Sequence, residues 1–128
     1  MNTLAYGKLL SDIGKKICDM SNNSEKNIIQ TLNNNINICK DILQQLKNVE
    51  PPSIFNHEHT ELTRIFTQLI FSYSLQINNI NDEGEIINKE LLQKEKRIEN
   101  DKTEKIVSIL ISLLTKNGNL IIQSNLQH

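Results

Sequence analysis

Isoleucine and leucine return at steps of three and four residues through four long stretches of this chain, a spacing that specifies helices rather than strands. On an α-helix such steps share one face, whereas a half-buried strand needs strict alternation. The first stretch runs from about Thr3 to Met20 and aligns Tyr6, Leu9, Leu10, Ile13, Ile17 and Met20, with Thr3 placed to cap its start. Ser21-Asn22-Asn23-Ser24 interrupts the pattern, because these side chains compete for backbone hydrogen bonds. Ser24 is the candidate cap of a second helix, from about Glu25 to Asn48, whose stripe is Ile28, Ile29, Leu32, Ile36, Cys39, Ile42, Leu43, Leu46 and Val49. Asn33, Asn34, Asn35 and Asn37 are placed mostly off that stripe and each lowers helix propensity slightly.

The sharpest boundary is Glu50-Pro51-Pro52-Ser53, where two prolines remove two backbone donors and push the residue before them out of the α region. Ser53 is then expected to cap a third helix from about Ile54 to Asn81, with Phe55, Leu62, Ile65, Phe66, Leu69, Ile70, Tyr73, Ile77 and Ile80 on its apolar side. So short a connection implies antiparallel neighbours. Asn81-Asp82-Glu83-Gly84 is a softer break. A fourth helix follows, from about Glu85 to Lys116, with Ile87, Leu91, Ile98, Ile106, Ile109, Leu110 and Leu113 inward. Glu85–Lys89, Glu90–Lys94 and Asp101–Lys105 are acid-before-base pairs at the spacing that supports an exposed helix. Asn117-Gly118 is expected to end it, with Gly118 in the left-handed position. The expected fold is therefore an all-α antiparallel bundle of about four helices, or three if the first and second, or third and fourth, are continuous. Residues 1–117 would form one domain and 118–128 a C-terminal tail.

Charge narrows the function. The net charge is −1, and the first fifty residues carry six lysines against five acids. No basic block exists, so the long-range attraction that nucleic-acid binding needs is missing. Lys8 and Asp12 interrupt the N-terminal stretch, which makes a poor signal peptide. The longest apolar run, Ile106 to Leu114, falls short of the ~20 residues of a membrane span. A cytoplasmic protein with no nucleic-acid partner and no membrane span is expected.

The densest set of candidate ligands is His57, Glu58, His59 and Glu61. His57 and His59 are two apart and diverge by about 200° on a helix, so only His57 and Glu61 share a face. Cys18 and Cys39 are expected to be reduced, since neither a continuous helix nor a fold-back near Asn22 brings them level. The isolated glycines form no phosphate loop, no serine sits in a nucleophile elbow, and no Glu-x-x-His pair suggests a di-iron bundle. No cofactor, metal or catalytic residue is assigned, and the chain reads as a non-enzyme. The second reading is a small regulatory bundle binding a metal or an apolar ligand near His57, His59 and Glu61.

The most informative segment is Ile106-Val107-Ser108-Ile109-Leu110-Ile111-Ser112-Leu113-Leu114. Its apolar residues cover nearly the whole helix circumference, so more than one side must be buried. Val107, Ile111 and Leu114 form the second side. Either the first helix or the tail, through Leu120, Ile121 and Ile122, covers it, or another protein does. Val107, Ile111, Leu114, Leu120, Ile121 and Ile122 are the candidate interaction surface, for a protein partner or for a second copy in a homo-oligomer.

The stretch from Pro51-Pro52 through His59 to Leu62 resembles small helical-bundle proteins and lipoproteins of Gram-positive bacteria. In that group a Pro-Pro turn opens a long helix and a His is followed by a Leu three residues on, the positions of His59 and Leu62. Ser53 and Ile54 stand where the group has charged residues, and the N-terminus does not read as a lipoprotein leader. The resemblance implies an antiparallel helical hairpin and no particular activity.

Overall fold

The computed structural model describes residues 1–21 and 27–126. Four helices account for most of them: α1 (Thr3–Ser21), α2 (Ile28–Lys47), α3 (Asn56–Asn78) and α4 (Lys89–Leu126), with one 3-10 turn, Ser53–Phe55, before α3. Among the described residues the single extended pairing is an isolated bridge between Ile80 and Ile86. The chain is the expected all-α bundle, with four helices rather than three.

Cross-helix bonds give the direction of each neighbour. Gln45 donates to Asp12 at 3.0 Å and Lys16 reaches Asp41 at 2.7 Å, so α1 and α2 are antiparallel. The contacts of His59 with the Leu46 carbonyl and of Tyr73 with Asn35 set α3 antiparallel to α2. Ser72 Oγ donates to the Glu95 carbonyl and Lys116 pairs with Glu58, which sets α4 antiparallel to α3. Asn117 Nδ2 donates to the Thr3 carbonyl at 2.8 Å and closes the ring from α4 to α1. The shared core includes Tyr6, Leu10 and Ile13, Cys39, Ile42 and Leu46, Leu62, Ile65, Phe66 and Leu69, and Ile106, Leu110 and Leu113. Each fully buried aliphatic side chain contributes about 1.5–3 kcal/mol relative to exposure.

Asparagine amides cap the starts of α1 and α2. Asn2 Oδ1, not Thr3, accepts the Ala5 N–H, and Asn27 Oδ1 accepts the Gln30 N–H at the start of α2. Ser24 lies outside the described residues. Ser53 opens the 3-10 turn rather than capping α3, whose start follows Phe55 without a side-chain cap. Asn35, placed off the stripe by periodicity, is buried beside Tyr73.

The break after α3 is hard, not soft. Asn79 Nδ2 donates to the Asn88 carbonyl and Asn79 Oδ1 accepts the Asn88 N–H, so one side chain clamps both ends of the turn. Asn81 Oδ1 accepts the N–H groups of Glu83 and Glu85, and Gly84 takes φ 81°, where a side chain would be strained. The turn delays α4 to Lys89. Ile87 and Leu91 are consequently exposed, while Leu92 and Glu95 face inward. Glu85 falls in the turn; Asp101 and Lys105 pair at 3.2 Å.

The expected stop at Asn117-Gly118 does not occur. The helix runs on to Leu126, about 57 Å in all, and Gly118 keeps a negative φ. Asn117 is buried and spends its amide on α1 instead of ending its own helix. The boundary drawn at 117/118 thus falls inside a helix. Continuity also joins Ile106–Leu114 to Leu120–Ile122, and α4 is long and apolar enough, by length and composition, to cross a membrane. In the bundle Ile106, Leu110 and Leu113 of that stretch are core.

Candidate functional site

The histidine cluster disperses. His59 is buried, with Nε2 2.8 Å from the Leu46 carbonyl and Nδ1 2.9 Å from the Tyr6 hydroxyl. A carbonyl only accepts, so Nε2 carries the proton and Nδ1 accepts from Tyr6. Both ring nitrogens are committed to the fold. Tyr6 stacks on Phe55 at 5.9 Å, and burial, followed by the nearby Glu58 charge, pushes its hydroxyl up to about 12. His57 points outward, and Glu61 pairs with Arg64 through both guanidinium contacts. Among the described residues no three His, Cys, Asp or Glu side chains gather to hold a metal. His57, His59 and Glu61 therefore do not converge on one point.

Both cysteines are free. The expected difference in height is wrong: Cys39 Sγ lies 3.9 Å from Met20 Sδ, which puts it level with the end of α1. Orientation separates them instead, since Cys18 is exposed and Cys39 faces the core. Burial, then the Glu99 charge, raises the Cys39 thiol to about 12, so it stays protonated and unreactive at neutral pH.

The second side of α4 is left open. Val107, Ile111 and Leu114 are 41%, 60% and 38% exposed, and Ile122 is 57% exposed. At 100° per residue these four and Gly118 lie within one sector of about 80°, its centre about 110° from that of the core residues Ile106, Leu110, Leu113 and Asn117, with Leu114 at the edge nearest Leu110. α1 packs along one edge of the sector without covering it. Leu4, Gly7 and Ser11 of α1 line a groove with Leu114, Gly118 and Ile121, and a second groove continues over Glu104, Val107 and Ile111. The tail triplet divides. Leu120 packs against the core near Phe55, Ile121 is half-buried beside the α1 groove, and Ile122 extends the open stripe.

Leu4, 60% exposed, joins this surface and was not legible as a site residue. Its sole sequence signal is an apolar side chain off the α1 stripe, and only the bundle topology places it next to Leu114. Gly7 and Gly118 border the same groove for different reasons. A Cβ on Gly7 would come 3.1 Å from Asn117 Nδ2, so Gly7 permits the close approach of α1 to α4. A Cβ on Gly118 would meet nothing within 4 Å. Mid-helix glycine costs about 1 kcal/mol relative to alanine.

A second apolar feature lies between α3 and α4, lined by the exposed Phe71 and the half-buried Leu75 and Ile98. Its rim carries Arg97, Asp101 and Lys102, charges of both signs. No family model, curated protein or solved structure matches the chain.

Proposed function

We propose that this protein is a non-enzymatic helical bundle that works through protein–protein contact, with the outer face of α4 as its docking surface. The observation that carries this reading is the uncovered stripe of Val107, Ile111, Leu114 and Ile122, flanked by Leu4. Together these five side chains leave roughly 450 Å² of apolar area in water, the size of patch that marks an interaction site on a monomer. A standard interface takes about 800 Å² from each partner, a little over half of it apolar, so the patch supplies about the apolar share of one footprint.

Three features support docking over chemistry. The most buried titratable groups, Tyr6, Cys39 and Tyr73, are all held in their neutral forms by burial. His59 is spent on a structural bridge between α1 and α2. The α4 face is a rigid helix surface whose side chains need little ordering on contact, which keeps the entropic cost of binding low.

The test is Ile111→Glu. A charge at the centre of an apolar footprint should abolish complex formation in native-host extract, read as a fall in apparent mass by size exclusion. The helical circular dichroism and thermal midpoint should stay near wild type, because Ile111 is exposed in the bundle. An unchanged complex mass would reject the docking role.

A further inference from the structure

Resting on the docking role assigned to α4, we infer that the occupant of the stripe is a second copy of this chain, seated antiparallel on a two-fold axis beside Leu114. The stripe is self-complementary. Along α4 it reads Glu104, Val107, Ile111, Leu114, Gly118, Ile122 and Asn125, in steps of three or four that keep one helix face. Reversing this row about a point next to Leu114 sets Val107 against Ile122, Ile111 against Gly118, and Leu114 against its own counterpart. The polar ends, Glu104 and Asn125, then pair with each other. Within the row every large apolar side chain meets an apolar or empty position, and no like charges meet.

Gly118 fits this register. The space above it is open in the monomer, and this register seats the partner's Ile111 there as a knob in a hole. The exposed apolar area matches the apolar share of one footprint of a standard-size dimer, and an isologous contact needs each copy to offer only one such patch.

Cysteine pairing in a Cys18→Ser background tests the geometry in the full-length chain. Leu114→Cys should form a disulfide-linked dimer on mild oxidation. Val107→Cys alone should not, because its two copies lie about 22 Å apart along the axes, yet mixing it with Ile122→Cys should give a crossed dimer. Gly118→Ala should raise the dimer dissociation constant about tenfold by filling the hole, while leaving the monomer folded. A dimer by light scattering without linkage through Leu114→Cys would overturn the two-fold register and leave the docking role standing. A purified monomer at all concentrations, but an Ile111-dependent complex in host extract, would overturn the second copy as occupant. A monomer in both would overturn the inference and the docking role together.

Discussion

At the scale of residues, Tyr6 and His59 form the bond on which the inner end of the bundle turns. Tyr6 donates from α1 to a ring on α3 whose other nitrogen holds the last turn of α2. Tyr6→Phe leaves Nδ1 of His59 buried without its donor, and should cost about 1–3 kcal/mol in urea unfolding. The same hydroxyl predicts an alkaline limit. Its folded pKa of about 12 lies above the ordinary value of 10.0, so between them the unfolded chain has released a proton that the folded chain keeps. The unfolding free energy therefore falls as pH rises from about 10 through 12, at about 1.4 kcal/mol per unit of separation, and is complete below 10. Cys39 acts in the same sense from about pH 9. Unfolding midpoints measured from pH 8 to 11 should show the fall, and Tyr6→Phe should flatten its upper part. Neither bond is visible in the sequence, where His59 stands out only as one of four possible ligands.

At the scale of elements, the turn between α3 and α4 decides where every α4 side chain points. Asn79 bonds both backbone groups of Asn88, and that clamp fixes the start of α4 at Lys89. Asn79→Ala should destabilise the fold by about 1–2 kcal/mol, measured by thermal or urea unfolding, because two hydrogen bonds to the exposed Asn88 backbone are lost and water only partly replaces them. The inner face that follows includes Glu95, which is why periodicity chose Leu91 over Leu92: an acid in a buried row masks the repeat. The other end of α4 was misjudged for a related reason. Asn-Gly is a good helix stop in isolation, but tertiary bonding of Asn117 to α1 outweighs that local preference.

At the scale of the whole molecule, a nearly neutral chain carries one uncovered apolar stripe. Association through that stripe should be insensitive to sodium chloride between 0.05 and 0.5 M, since screening acts on charges, and should strengthen in ammonium sulfate. Sedimentation equilibrium in both salts measures it; a steep loss of association in sodium chloride would point to ion pairs instead. The sequence by itself determined the all-α class, the approximate extent of the first three helices, the Pro51-Pro52 boundary, and the excess of apolar surface around Val107, Ile111 and Leu114. All of these follow from periodicity and backbone chemistry, which act over a few residues. Tertiary structure alone decided that His57, His59 and Glu61 part company, that Cys18 and Cys39 are level but face apart, and that Leu4 lies beside Leu114. Those outcomes depend on which helix faces which and at what height, and no spacing within one segment encodes the register between two.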